Sequence, residues 1–223
     1  MTKPAAERAF SVGVIILAAG QSARMGQPKL LLPWGETSVL GHLSEQWRAL
    51  GAKQIAVVCA PGDVAVRGEL DRLGFAEENR IGNPAPERGM FSSIQCAAQW
   101  PGWEAALTHW AIVLGDQPHL ERQTLQRVLD FSAARPNSVC QPARRDHGRH
   151  PVLLPRLPFR QLAESTAATL KDFLVAGPVE IALCEVDDPG MEVDIDRPED
   201  YDKALAIAQG RQGAKTHRKP DLA

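Results

Sequence analysis

The chain has 223 residues, of which 44% are hydrophobic and 23% are charged, and its formal net charge is −2. This length favours one large domain over two very small ones, and the near-neutral charge argues against a nucleic-acid-binding protein, which usually carries a basic face. No apolar run approaches the roughly 20 residues of a membrane span and the N-terminus lacks the apolar stretch of a secretory signal, so we expect a cytoplasmic protein with no membrane partner.

Short apolar runs rich in β-branched residues predict three buried strands, at residues 12–18, 54–60 and 110–115. Strands that alternate with helices of about ten residues or more indicate βαβ units, and therefore an α/β fold with a mostly parallel sheet. Residues 77–88 contain Gly82, Asn83, Pro84 and Pro86 and are predicted to be mostly loop, and the proline-rich stretch 151–160 is predicted to be irregular. The remaining predicted elements are helices at 37–50, 63–73, 90–100, 121–134, 166–175 and 198–208, strands at 138–141 and 181–186, and a basic loop at 144–150.

The predicted elements divide the chain into three parts. Residues 1–11 form an N-terminal extension, and residues 12–209 form a single domain without an internal repeat or a linker. Residues 210–223 are polar and contain glycine, so we expect them to be a disordered tail.

The loop that follows the first strand has the residues to hold a triphosphate. Ligands of open α/β sheets bind beyond the carboxyl ends of the strands, where this loop begins. Gly20 and Gly26 allow backbone amides to approach an anion, Arg24 and Lys29 add positive charge, and Ser22 adds a hydroxyl donor. The alternative is that the glycines only shape turns and that the two cations are solvated.

Two common phosphate-binding motifs do not fit this loop. A P-loop requires a lysine directly after its second glycine, but Gly26 is followed by Gln27 and Pro28. A dinucleotide-binding fingerprint requires G-x-G-x-x-G after the strand, and no such triplet is present. The loop therefore belongs to another class of phosphate site.

Carboxylates are placed to hold a magnesium ion, which prefers carboxylate and phosphate oxygens. Asp116 follows the apolar strand at 110–115, with a turn cap as its alternative reading. Asp194 and Asp196 are the candidates for a second ligand from a distant segment. In a strand, residues two apart point to the same side, so both could face the site, and the sequence does not decide between them.

Residues 17–29 resemble the L-A-A-G-x-S-x-R-M-G-x-x-K motif of the MobA-like nucleotidyltransferases, and are most similar to the molybdenum cofactor cytidylyltransferase branch. Five later motifs follow in the order of that family, and the resemblance covers residues 12–208. They are Asn83-Pro84, Gly89-Met-Phe-Ser-Ser93, Gly115-Asp-Gln-Pro118, Arg149-His-Pro-Val152 and Asp194-Ile-Asp-Arg-Pro-Glu-Asp200.

The resemblance implies a three-layer, Rossmann-like nucleotidyltransferase (GT-A-like) fold and a Mg²⁺-dependent enzyme. Arg24, Lys29 and Asp116 are the expected catalytic residues, and Asp116 with the Asp194–Asp196 segment is the expected metal site. A-A-G rather than A-G-G in the first motif favours CTP over GTP. The implied nucleotide-binding residues are Leu17, Ala18, Ala19, Gly20, Ser22, Arg24, Lys29, Asn83, Gly89, Ser92 and Ser93, although Ser92 and Ser93 by themselves read as ordinary helix caps.

The acceptor side is less well defined. The basic loop at 144–150 could attract an anionic acceptor, and the resemblance puts residues 149–152 on the acceptor side, so Arg149 and His150 are the candidates for contact with a molybdopterin-type acceptor. The alternative is a solvated loop with a structural histidine. The resemblance also implies a molybdenum hydroxylase apo-enzyme or its chaperone as a further partner. Arg149 replaces the family's glycine, and residues 164–172 depart from the G-D-x-G-A-R-like stretch of related enzymes. Two alternatives therefore stay open: transfer to a sugar or alditol phosphate, and a maturation partner that binds cofactor without turnover.

Overall fold

The computed structural model describes residues 9–20, 23–177 and 179–216, and within them the chain forms ten strands and seven α-helices. The strands are β1 (Val12–Leu17), β2 (Pro33–Trp34), β3 (Thr37–Ser38), β4 (Gln54–Cys59), β5 (Arg80–Gly82), β6 (His109–Leu114), β7 (Val139–Arg144), β8 (His147–Gly148), β9 (Val152–Pro155) and β10 (Ile181–Glu185). The helices are α1 (Val39–Ala49), α2 (Val64–Arg72), α3 (Met90–Gln99), α4 (Arg122–Ala133), α5 (Arg156–Leu162), α6 (Leu170–Ala176) and α7 (Pro198–Thr216).

The main sheet has the strand order β10-β7-β9-β6-β1-β4-β5, with β8 added to β7. β1 is central and pairs in parallel with both β4 and β6, so that Ile15 lies between Ala56 and Ile112. β9 is antiparallel to its neighbours β6 and β7. The predicted mostly parallel sheet is therefore confirmed, and the carboxyl ends of β1, β4, β5 and β6 lie along one edge.

Helices cover both faces of the sheet and make the three layers that the sequence predicted. Alternate residues of β1 face opposite ways: Val14 and Ile16 join a cluster that includes α1, α2 and α4, whereas Ile15 joins one that includes α3, α5 and α6. All three side chains are fully buried. Burying a side chain of this size stabilises the fold by roughly 1.5–3 kcal/mol, which explains why the strands read as continuous apolar runs.

The prediction that residues 151–160 are irregular is wrong, because β9 and the first part of α5 lie there. Its prolines are compatible with both elements. Pro151 precedes the strand, Pro155 ends it, and Pro158 lies in the first turn of the helix, where a backbone N–H has no intrahelical acceptor. The predicted loop at 77–88 likewise contains the short edge strand β5, and the basic loop at 144–150 contains β8.

The last helix is longer than predicted. We expected it to end near residue 208, but α7 continues to Thr216. Residues 217–223 lie outside the described part of the chain, so the disordered tail and the domain limits stay predictions. Across the described residues, no helix is both long enough and apolar enough to cross a membrane.

Candidate active site

The cation-bearing loop leaves the carboxyl end of β1, as predicted. It is anchored by Met25 and Leu30, which are 7% and 6% exposed, while Arg24 and Lys29 next to them remain accessible. Gly26 has φ +68°, a backbone conformation that favours glycine. The loop is thus fixed by its apolar residues, and its charged residues are left at the edge of the sheet. Residue 22, a predicted hydroxyl donor, lies outside the described residues, and its role stays a prediction.

Lys29 connects two carboxylates from distant parts of the chain. Its Nζ lies 2.8 Å from Asp116 Oδ2 and 3.7 Å from Asp196 Oδ1. Arg24 Nη2 lies 3.0 Å from the other oxygen of Asp196. The side chains of Lys29 and Asp116 are only 20% and 18% exposed, so water screens this pair less than an ordinary surface salt bridge. The structure brings together four of the predicted site residues, which we call the charge cluster: Arg24, Lys29, Asp116 and Asp196.

Asp194 has a different partner from Asp196. Its Oδ1 accepts a hydrogen bond of 2.8 Å from Gln117 Nε2. Between the two aspartates, the Ile195 amide donates to the main-chain oxygen of Asp116 at 3.0 Å. The segment is a loop and not a strand, so the alternation that we used to place both carboxylates at the site does not apply. Gln117 was missed in the sequence, where only its neighbour Asp116 stood out.

The carboxylates fit a divalent metal that arrives with a triphosphate. Asp116 Oδ1 is buried and has no hydrogen-bond partner among the described residues, which is the state expected of an oxygen kept for a cation. No group of three His, Cys, Asp or Glu side chains in that part of the chain could hold a metal alone. Mg²⁺ is commonly held by one or two carboxylates plus substrate phosphates and water. Asp116 and Asp196 are the residues that would hold it.

A cleft of about 510 Å³ opens beside the charge cluster. One wall comes from the strand ends and the cation loop, and the other comes from the segment that leads into α3. Pro86, Glu87 and Met90 were not among the residues predicted for the site. They are partly or fully exposed in a loop or at the start of a helix, and such positions have no sequence pattern that indicates a binding site. The lining residues are Leu17, Ala19, Gly20, Lys29, Pro86, Glu87, Gly89, Met90, Ser93, Leu114, Gly115 and Asp116.

Asn83 organises the second wall from inside the protein. It is 1% exposed, and its Nδ2 donates to Ser92 Oγ at 2.8 Å and to Ser93 Oγ at 2.9 Å. Its Oδ1 accepts from the Ala85 amide at 2.9 Å. Of these three predicted nucleotide-binding residues, Asn83 and Ser92 therefore support the segment, whereas Ser93 lines the cleft.

The N-terminus of α3 faces the same cleft. Gly89 precedes the helix with φ +90°, and no side chain caps the first turn. The free amides of a helix N-terminus carry a partial positive charge that favours anions. This wall can therefore contribute polar donors to a nucleotide.

The two predicted acceptor residues lie outside the cleft lining. His150 Nδ1 lies 3.3 Å from the main-chain oxygen of Ile112 in β6. Burial lowers the pKa of His150. The hydrogen bond to that carbonyl and the charges of Asp116 and Asp194 raise this pKa, but by less. Arg149 has a buried Nε without a hydrogen-bond partner among the described residues. Their contact with an acceptor stays a prediction.

The fold agrees with the comparison to known proteins. The model of the MobA-like NTP transferase domain matches residues 14–181, and the chain belongs to this family. A curated relative, the bifunctional protein GlmU of Stutzerimonas stutzeri (strain A1501), is 37% identical over 124 residues. That match covers 54% of this chain and 25% of the relative, so the chain spans about a quarter of the GlmU sequence.

Solved structures support the same fold. Rv0371c from Mycobacterium tuberculosis H37Rv is 28% identical with a TM-score of 0.66, and the match covers 89% of this chain and 98% of that one. A structure of Rv0371c in complex with manganese matches at 25% identity and TM-score 0.60, covering 88% and 98%. A nucleotidyl transferase from Methanothermobacter thermautotroptrophicus has a TM-score of 0.73 and covers 90% and 99%, but at 19% identity it shows the fold alone.

Proposed function

We propose that the chain transfers CMP from CTP to a molybdopterin-type acceptor, in a Mg²⁺-dependent reaction that releases pyrophosphate. The observation that carries this proposal is the charge cluster, because it joins phosphate-binding cations to metal-binding carboxylates beside a cleft. A protein that only stored or delivered a cofactor would not need both sets of charges at one edge of the sheet.

In the proposed reaction, an acceptor phosphate oxygen attacks the α-phosphorus of CTP. A bond forms between that oxygen and phosphorus, and the bond from the α-phosphorus to the bridging oxygen of the β-phosphate breaks. The acceptor phosphate is already anionic near neutral pH, so the protein need not supply a nucleophile or a strong base. Catalysis then depends on positioning and on charge stabilisation.

The residues of the charge cluster divide this work between them. Arg24 and Lys29 bind the β- and γ-phosphates and stabilise the negative charge of the leaving pyrophosphate. Asp116 and Asp196 hold the metal, which neutralises charge on the phosphates. The presence of manganese in a structure of Rv0371c supports a divalent metal in this family, and Mg²⁺ is the ion that we propose here.

The choice of CTP depends on the first motif. Ala19 is the residue that separates the A-A-G form of this loop from the A-G-G form, and it lines the cleft. Its methyl group therefore lies where it can affect how a nucleotide fits. The preference for CTP over GTP is part of the proposal.

The test is steady-state pyrophosphate release with purified protein, CTP, Mg²⁺ and molybdopterin. Parallel reactions replace CTP with GTP, replace molybdopterin with sugar and alditol phosphates, or omit the metal. We expect release only with a divalent metal, and fastest with CTP and molybdopterin. Faster release with a phosphosugar would replace the acceptor in our proposal, and no release with any pair would favour a non-catalytic binding protein.

A further inference from the structure

Two segments that are far apart in the sequence are joined at the charge cluster by successive hydrogen bonds. The main-chain oxygen of Asp116 accepts from the Ile195 amide at 3.0 Å, and the next residue, Gln117, donates to Asp194 at 2.8 Å. Gln117 is 6% exposed and Ile195 is 1% exposed, so both contacts are anchored in the core. The loop after β6 thereby fixes the position of residues 194–196.

The same two segments are joined a second time, further along both. Glu121 donates its amide to Asp188 Oδ2 at 3.0 Å, and His119 Nε2 lies 2.8 Å from the main-chain oxygen of Gly190. Asp188 is fully buried and His119 is 3% exposed. This second set holds the chain before residue 194. Two contacts then position Asp196: the Gln117 side chain holds Asp194, and the main chain of Asp116 holds Ile195.

We propose that Gln117 is a positioning residue for the metal site: by holding Asp194, it directs Asp196 toward Asp116 and Lys29. In this arrangement Asp194 acts as a structural acceptor and not as a metal ligand. The inference rests on the proposed function, because it concerns the metal of that reaction. An amide suits this role chemically. It donates to a carboxylate without adding positive charge, so it does not compete with the metal for the acidic residues.

The partners of the two aspartates support this division. Asp196 contacts Arg24 at 3.0 Å and Lys29 at 3.7 Å, and through Lys29 it is linked to Asp116. Asp194 receives its hydrogen bond from the neutral amide of Gln117. Residues that orient metal ligands typically change metal affinity by about 10- to 100-fold when they are replaced, although they do not touch the metal.

The test measures Mn²⁺ affinity directly, by the loss of the free-ion signal in electron paramagnetic resonance, with and without CTP. Asp194→Asn keeps an oxygen acceptor for Gln117, whereas Asp194→Ala removes it. We expect Asp194→Asn to bind Mn²⁺ within about threefold of the unsubstituted protein. Asp194→Ala and Gln117→Ala should each weaken binding about tenfold or more.

Controls separate this effect from damage to the fold or a general loss of charge. Gln126→Ala removes another glutamine–aspartate hydrogen bond, that between Gln126 and Asp130 on the exposed surface of α4, and should leave Mn²⁺ affinity unchanged. Thermal unfolding of each variant checks its fold. If Gln117→Ala does not fold, the two Asp194 variants still test the inference. Asp194 is exposed, and we expect its replacement to change the stability of the fold little.

Three outcomes would overturn the inference. Normal Mn²⁺ affinity in Asp194→Ala or in a folded Gln117→Ala would show that the contact does not position the site. A loss in Asp194→Asn equal to that in Asp196→Asn would make Asp194 a ligand. If the unsubstituted protein binds no Mn²⁺, the metal site of the proposed function fails together with this inference, whereas the first two outcomes leave that function intact.

Discussion

Replacing Asn83 with alanine tests whether its buried side-chain amide holds the second wall of the cleft, which is the segment that leads into α3. The substitution removes three hydrogen bonds, two donated to the hydroxyls of Ser92 and Ser93 and one accepted from the Ala85 amide. A typical intramolecular hydrogen bond contributes about 1 kcal/mol, so the three together contribute about 3 kcal/mol. Ser92 Oγ can still donate to the main-chain oxygen of Gly89, 2.7 Å away, so we expect a loss of about 2–3 kcal/mol.

Urea unfolding followed by circular dichroism measures this loss. For a chain of this size, each kcal/mol lowers Tm by roughly 2–4 °C, so Asn83→Ala should melt about 4–12 °C lower. The matched control is Asn79→Ala, which removes one hydrogen bond, accepted from Gln54 at a half-buried position, and should cost less than about 1 kcal/mol.

The same substitution should affect nucleotide use at temperatures where the variant is folded. Ser93 lines the cleft and would lose its contact with Asn83, so the KM for CTP should rise more than kcat falls. A loss of stability below about 0.5 kcal/mol, or an unchanged KM in a clearly destabilised variant, would contradict the role that we give to Asn83.

Three further predictions concern charged groups. Asp116→Ala should lower kcat roughly 1,000-fold by removing a metal ligand, while Asp130→Ala on α4 should not, and normal turnover at saturating Mg²⁺ would refute the metal assignment. Lys29→Ala should lower kcat/KM for CTP about 10- to 100-fold through a lost phosphate contact, with exposed Lys53→Ala as the control, and an unchanged value would remove Lys29 from the site. Burial lowers the pKa of His109 from 6.5 to about 4. Between these pH values the unfolded chain therefore binds more protons than the folded one. The free energy of unfolding should then fall by about 3 kcal/mol as the pH drops from 6.5 to 4. Urea titrations at both pH values should show a smaller fall in His109→Gln, and an equal fall would refute this cause.

The strands of the central sheet could be predicted because burial on both faces leaves a pattern in the sequence. Residues 12–18, 54–60 and 110–115 are continuous apolar runs, and each forms a strand within one or two residues of the predicted limits. The segment at 151–160 could not be read in this way. Its prolines are usual signals of irregular chain, and only the tertiary position of β9, between β6 and β7, makes the strand favourable.

The site could be predicted in part. Arg24, Lys29 and Asp116 follow strands whose carboxyl ends lie along one edge of the sheet, which is where an open α/β sheet binds its ligands. In the structure Lys29 contacts Asp116, and Arg24 is linked to both through Asp196. The division between Asp194 and Asp196 could not be seen, because it depends on a contact with Gln117 across 77 positions of sequence. Likewise, no local pattern shows that Asn83 is buried behind the cleft instead of lining it.

Mass spectrometry of the reaction product tests the central claim most directly. Purified protein is incubated with Mg²⁺, molybdopterin and an equal mixture of CTP and GTP, beside a matched reaction with Asp116→Ala. We predict that molybdopterin gains the mass of one cytidylyl group (CMP minus water), that one pyrophosphate appears for each product formed, and that the variant forms product roughly 1,000-fold more slowly. A product carrying GMP would contradict the base choice. Molybdopterin left unmodified, with or without hydrolysis of CTP, would contradict the proposed reaction.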